Sequence, residues 1–494
     1  MGPLARRPIL AGAGGIAMWF GTACGTMGTR PVAPIGGAAR AAEDWDRATP
    51  PVVAPPGAVT LPAVQRHRLS NGLTVLIVEK RRLPVVDARV VIRAGAAEDP
   101  PELSGLASLT AATLEEGTAT RSALEIADEL DFLGASVDAA ATWDATAIAM
   151  HVLAPRLEPA LELLADLVIR PTFPEDGFRR KKAERLTSLL QERDEPRAVA
   201  ARVFAERVYG PEHPYGRQAV GSRDTVDRIG RDALADFHAR HYRPGNAFLV
   251  IVGDVDAATL LPVLERSFQG WAPGPVAASP PPDAPTAAPT AIHVVNRPGA
   301  PQSEIRAGLV GIPRASPDYI PAVVLNTVLG GAFTSRLNLR LRQEMGLTYG
   351  VGSRFHFRLG PGPFVIATAV ATDATDTAVA VIRDEIRRLR DEPVPEHELE
   401  RARRYVALGL PRRLETTAQI TALVAETELY GLGDDYYADF VDRVLAVDAD
   451  EVRRAARALL DPERLTVVVV GDVARVEAPL SRLGLGPVHL HEVP

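Results

Sequence analysis

From about residue 66 to residue 480 the chain alternates short apolar runs, bounded by turn residues, with longer amphipathic stretches. Arg66 to Lys80, RHRLSNGLTVLIVEK, sets the dipeptide Asn71-Gly72 ahead of an apolar run, which predicts a hairpin turn leading into a strand. A second strand is predicted over Val85 to Ala94. Period-two alternation predicts strand over Ser136 to Leu153, through Trp143, Ile148 and Met150. Helical periodicity over Leu157 to Leu167 and over Thr377 to Leu389 predicts amphipathic helices, each followed by a Pro-Glu pair and a charged helix. Few strand-helix-strand crossovers are needed for this order, so the predicted class is α+β, with helices packed on largely antiparallel sheets.

One stretch breaks both periods. Ala272 to Thr290, APGPVAASPPPDAPTAAPT, holds seven prolines in 19 residues and reads as a linker between two domains, 66–271 and 291–480. The halves repeat each other: Val250-Ile251-Val252-Gly253-Asp254-Val255 returns 218 positions later as Val468-Val469-Val470-Gly471-Asp472-Val473. Phe173-Pro174-Glu175-Asp176 returns at an offset of 221 as Val394-Pro395-Glu396-His397. Two matches at nearly one offset predict an internal duplication. Two such domains on a long linker are expected to close around a cavity as a pair of half-shells, which suits a large substrate or partner. Residues 481–494 read as a tail.

Composition narrows the class. With 55 basic and 62 acidic residues, a formal charge of -7 and no basic block, the chain lacks the electrostatic footprint of a nucleic-acid binder. At 494 residues, 46% apolar, it can bury sizeable cores without disulfides. The first 29 residues place Arg6 and Arg7 before a short apolar stretch, Ile9 to Phe20, and then small residues, the order of an export signal. That stretch is too short and Gly-rich for a spanning helix. The single cysteine, Cys24, follows in Gly-Thr-Ala-Cys, where a bacterial lipoprotein carries its lipidated cysteine, although Gly21 stands where such signals usually carry Leu. The expectations are a lipid tether at Cys24 or ordinary cleavage near Ala23, with the protein exported to the periplasm or cell envelope. Residues 30–65 read as a Pro/Ala-rich tether. In either case no thiol nucleophile or disulfide remains in the folded domains.

The run Arg93 to Thr118, RAGAAEDPPELSGLASLTAATLEEGT, resembles the segment of the pitrilysin/insulinase family of zinc peptidases that carries an inverted His-x-x-Glu-His motif between Gly-Leu-Ala and Gly-Thr. The resemblance extends through His213-Pro214-Tyr215-Gly216 and the second half, over about residues 66 to 480. In that family two histidines at i and i+4 bind Zn²⁺, the intervening Glu is general base, and a Glu on a second helix is the third ligand. Here the frame is kept and the ligands are not. Ser108 and Ala112 hold the histidine positions, Ala111 the base position, and Ser188 or Thr187 the third-ligand position. Glu115 and Glu116 remain nearby and are expected to face solvent at the helix end. No metal is expected in this chain. His238 and His241 (His-Ala-Arg-His) are expected to be structural, as are His151, His293 and His356, while His489 and His491 fall in the tail.

The second half retains Gly330 to Leu337, GGAFTSRL, and Leu341 to Gly350, LRQEMGLTYG. These are similar to the family segment in which an arginine and a tyrosine seven residues apart reach the zinc site; the matching residues are Arg342 and Tyr349. The resemblance implies that Arg342 holds a substrate carbonyl or carboxylate and that Tyr349 stabilises an oxyanion. Some family members divide the work between two chains, one with the zinc ligands and one with the arginine and tyrosine. This sequence looks like the second kind: a non-zinc subunit of a heterodimeric peptidase, acting on peptides with a homologous zinc-bearing partner. The alternative is a catalytically inert scaffold or peptide-binding protein of the same fold. The stretch Leu359 to Phe364, LGPGPF, lacks the Lys-Ser/Thr of a phosphate loop and reads as a turn between strands.

Overall fold

The computed structural model describes residues 62–276, 283–285 and 289–492. The expected export signal, Cys24, nearly all of the 30–65 tether and part of the proline-rich linker lie outside the described residues. Among the described residues there are two six-stranded sheets and sixteen α-helices, an α+β architecture. The first sheet holds β1 (Gln65–Arg68), β2 (Thr74–Glu79), β3 (Val85–Ile92), β4 (Ser136–Ala141), β5 (Thr146–Leu153) and β6 (Ala247–Gly253), in spatial order β1-β2-β6-β3-β5-β4. The second holds β7 (Ala291–Asn296), β8 (Gln302–Val310), β9 (Val351–Phe355), β10 (Pro363–Ala371), β11 (Thr466–Gly471) and β12 (Val488–His491), in order β12-β7-β11-β8-β10-β9. Five strands correspond one to one, and β2–β6 and β7–β11 are the matching parallel pairs in otherwise mostly antiparallel sheets.

The edges differ. β1 runs antiparallel to β2, whereas the second sheet is closed by β12, parallel to β7. Residues of the apparent tail therefore supply an edge strand, and His293 is not isolated: its Nδ1 lies 3.0 Å from His491 Nε2, and its ring stacks on His489. The expected long strand over Ser136 to Leu153 is two strands of a hairpin with Trp143 in the turn, because Thr142 and Ala145 bond to each other across it.

The repeated Val-Gly-Asp-Val has a steric cause. A Cβ on Gly253 would lie 2.3 Å from the Val85 carbonyl oxygen, and one on Gly471 would lie 2.6 Å from Ser303 Oγ. In each half, glycine lets the central strand pass against its neighbour at the same place.

The central strands β6 and β11 are buried along nearly their whole length, which explains why AFLVIVG and TVVVVG do not alternate. One face of each sheet meets its own helices. The other face is covered by a helix from the opposite half. Ile420, Val424 and Ala425 of helix Thr417–Leu429 pack on Leu76, Val91, Phe248 and Val250 of the first sheet. Val199, Val203 and Phe204 of helix Pro196–Tyr209 pack on Val295, Val468 and Val470 of the second. Both helices begin on sequence signals: Thr416 and Gln419 form a capping box, and Pro196 sits in the first turn behind Glu195.

A polar latch completes this exchange. The loop Leu359 to Pro361 does not bind phosphate: the Leu359 amide donates to Asp144 (3.0 Å), the Gly360 amide to the Tyr215 hydroxyl (3.0 Å), and Tyr209 donates to the Pro361 carbonyl (2.8 Å). Tyr215 and Tyr430 also donate to Asp144. The guanidinium of Arg358 is buried between Trp143 (3.6 Å) and Tyr215 (4.4 Å). Asp144→Ala leaves two phenols and an amide without their acceptor. It is expected to cost about 3 kcal/mol in chemical denaturation; a loss within 0.5 kcal/mol, the usual range for a surface change, would remove Asp144 from the latch.

The histidines of helix Arg231–His241 are structural. His238 Nε2 donates to the Val168 carbonyl (2.8 Å) against the edge of Phe173, and His241 packs on Phe237. Burial pulls the pKa of His238 down to about 4. Its depressed value means that the unfolded chain takes up the proton first, so stability contributed by the neutral ring is lost as pH falls from about 6.5 towards 4. Thermal melts of His238→Gln and the parent across that window should therefore shift in favour of the variant at low pH, by at most about 3 kcal/mol. A pH-independent difference would show that the ring is not held neutral.

Candidate functional site

The frame of the motif is built with care. Helix Leu106–Ala112 starts at Gly105, whose φ of +101° favours glycine, and a Cβ there would stand 2.7 Å from the Val220 carbonyl. Asp99 holds the start of the helix, accepting from the Gly105 amide (2.8 Å) and the Ala107 amide (2.9 Å). Burial pushes its carboxyl up to about 7 against the opposing pull of those amides.

The positions one turn apart on this helix carry no ligand. Ser108 and Ala111 are buried and Ala112 is half-buried. Ser108 Oγ accepts a hydrogen bond from Arg185 Nη1 at 3.0 Å, and the same nitrogen donates to the Val220 carbonyl at 3.1 Å. Arg185 belongs to the long helix Glu175–Asp194, one turn before Ser188. Ser188 itself is exposed and turned along its own helix toward Glu192, and Thr187 bonds back to the Ala183 carbonyl. The side chain of the second helix that reaches the motif helix is thus a cation that sequence reasoning passed over. Its signal was available: an arginine on the helix that should carry the third ligand.

Zinc does not fit this arrangement. Alanine offers no donor atom, a serine hydroxyl is a neutral and weak ligand, and a guanidinium stands where positive charge would have to be bound. Among the described residues no group of three His, Cys, Asp or Glu side chains is placed to hold a metal ion. Glu116, expected to face solvent, is buried instead, because Arg180 and Lys181 of the long helix pair with it and Gly177 lets that helix approach. Glu115 is half-buried and its carboxyl is pushed up by burial.

Arg342 and Tyr349 lie in the second half, on a differently built surface. Two π-type turns, Thr327–Gly331 and Asn338–Glu344, flank the loop that carries Phe333; such turns concentrate at functional sites. Asn338 pins the segment, its amide bonding the Val351 carbonyl (2.6 Å) and accepting from the Val351 amide (3.3 Å). The Arg342 guanidinium lies over the exposed Phe333 ring at 4.5 Å. Tyr349 is 93% exposed and makes no side-chain contact with another described residue through a hydrogen bond or ring. It is neither a sheet residue nor part of a core. The structure does not bring this pair to Ser108, Ala111, Ala112 or Ser188 within the hydrogen-bonded network of either site.

The fold and the frame around Gly105 to Gly117 define a duplicated, peptidase-like protein whose motif helix carries no metal-ligating side chain. Residues 74–210 match the family Insulinase (Peptidase family M16), and residues 228–406 match the Peptidase M16 inactive domain. The chain belongs to the pitrilysin/insulinase family, in its non-zinc-binding form. It is 24% identical to an uncharacterised zinc protease of Rickettsia bellii, over 81% of this chain and 96% of that one. A second uncharacterised zinc protease, from Bacillus subtilis, is also 24% identical, over 80% and 95%. Among solved structures, a peptidase M16 inactive domain from Pseudomonas fluorescens aligns with a TM-score of 0.78 at 28% identity, covering 83% of this chain and 98% of that one. A protease from Helicobacter pylori shares the fold, with a TM-score of 0.77 at 20% identity over 83% and 100%.

If no metal holds the motif helix, chelation should leave the protein untouched. Dialysis against EDTA is expected to leave Tm unchanged within a degree, with less than 0.1 zinc per chain by elemental analysis, both orders of magnitude set against a structural zinc worth roughly 10 kcal/mol. A stoichiometric zinc whose removal lowers Tm would show a site built from other residues.

Proposed function

We propose that this chain is the non-zinc subunit of a heterodimeric metallopeptidase that degrades or processes peptides. A homologous partner supplies Zn²⁺, the activated water and the general base, and this chain supplies Arg342 and Tyr349. The observation that carries the reading is Tyr349: a phenol 93% exposed, on a loop pinned by Asn338, in the same segment as Arg342, whose guanidinium lies over Phe333. A phenol presented in this way can donate to an oxyanion formed at another chain's metal, and the Arg342 fork can hold a peptide carbonyl or carboxylate. Export to the periplasm or cell envelope, with Cys24 as a membrane tether, belongs to the same reading and rests on the order of residues 1–29.

Gentle purification of the tagged protein from its own cell envelope, followed by mass spectrometry, is expected to yield a near-stoichiometric chain of similar size carrying His-x-x-Glu-His. In that pair Tyr349→Phe should lower kcat by about 100-fold, the loss typical of one oxyanion donor, without weakening assembly. Unchanged turnover takes Tyr349 out of the mechanism. A protein that emerges alone, or with unrelated envelope proteins, favours the inert scaffold.

A further inference from the structure

The relic of the metal site still presents a positive charge. Of the cations on helix Glu175–Asp194, Arg179 pairs with Glu175, Arg180 and Lys181 pair with Glu116, Lys182 donates to the Asp227 and Ile229 carbonyls, and Arg193 lines the cleft described below. Arg185 reaches the motif helix itself, at Ser108. Its two hydrogen bonds go to neutral oxygens, both through Nη1, and among the described residues no carboxylate lies within ion-pair distance of it. The Nε and Nη2 hydrogens are neither bonded nor buried without a partner, so one edge of the fork is open to an incoming acceptor.

The surroundings supply a place for the rest of a ligand. A cleft of about 670 Å³ begins one turn beyond Arg185 at Leu189 and is lined on other sides by Val199, Gln218 and Ser222. Gln218 and Ser222 bracket Val220, whose carbonyl fixes the guanidinium. The cleft's own lining holds three arginines and three carboxylates, so its charges balance, and Glu192 among them acts electrostatically on Arg185 without reaching ion-pair distance. The Ser108 hydroxyl and the Val220 carbonyl orient the guanidinium in advance, which lowers the entropy lost on binding.

We infer that the abandoned metal position is a carboxylate-binding site, in which Arg185 receives a carboxylate of a bound peptide through its free Nε–Nη2 edge while the adjoining residues lie in the cleft. The inference rests on the reading that this chain handles peptides, and it assigns the site a role in holding substrate. The carboxylate comes from the peptide's C-terminus or from an acidic side chain; both present the same planar pair of oxygens to the fork.

The test uses the full chain, alone and with any co-purified partner, and an unstructured peptide labelled with an uncharged coumarin dye in three forms: a free acid without acidic side chains, a C-terminal amide with one internal Glu, and an amide with no carboxylate. By fluorescence anisotropy, at least one carboxylate form should bind about tenfold more tightly than the neutral amide, and which form does so identifies the source. Arg185→Gln should abolish the preference while leaving Tm and the weak binding of the neutral amide in place. Arg185→Lys should retain only part of it, and Ser108→Ala, which removes one of the two groups orienting the guanidinium, should weaken it without abolishing it. Equal binding of all three peptides by the parent, or an undiminished preference in Arg185→Gln, overturns the inference and leaves the peptide-handling reading standing. Failure of every form to bind, alone and with partner, overturns both.

Discussion

The constraint on which the rest depends is that β6 and β11 are apolar on both faces. A strand such as AFLVIVG can be buried only if something covers each side of its sheet, and each half has helices of its own for one side only. The opposite half provides the other cover. Helix Thr417–Leu429 and helix Pro196–Tyr209 are therefore structural parts of domains to which they do not belong by sequence. Apolar contact supplies the driving force, and the cluster around Asp144, Tyr215 and Arg358 supplies the register. Ion pairs at the margin, such as Arg66 and Arg93 with Glu428, add orientation more than energy.

That framework is the fold of the pitrilysin/insulinase family around a motif helix without metal-ligating side chains. Gly105 and Asp99 fix the start of the motif helix, and the packing of Gly177 on Glu116 brings the long helix against the segment that follows it. What has changed is the polarity. Where family members bring neutral imidazoles and carboxylates to a metal cation, this chain brings a hydroxyl to a guanidinium that is part of the protein. The second half, in contrast, spends a pinned loop and two π-type turns on presenting Phe333, Arg342 and Tyr349 at the surface.

Much of the fold was legible because its signals are local or repeated. The Val-Gly-Asp-Val repeat marked equivalent strands, Asn71-Gly72 marked a turn that the structure keeps, and the substituted motif could be counted from Gly105. What escaped was set by contacts distant in sequence. Trp143 continues the alternation of its neighbours yet sits in a turn, where Arg358, more than 200 residues later, stacks on it. Val488 to His491 becomes a strand only because β7 leaves an edge for it. Glu116 looks like a solvated carboxylate until Arg180 and Lys181 are brought against it. Arg185 carries no motif; its place is defined by Ser108 and Val220 together.

The exchange of helices also fixes what a single half can be. Released at the proline-rich linker, the first half would keep its own helical layer and expose Leu76, Val91, Phe248 and Val250 as a bare apolar sheet face. Such a half is an incomplete object in water, and two identical copies could complete each other by trading one helix apiece. The present chain has the internal symmetry of that swapped pair: a dimer's solution to an exposed sheet, written along one polypeptide.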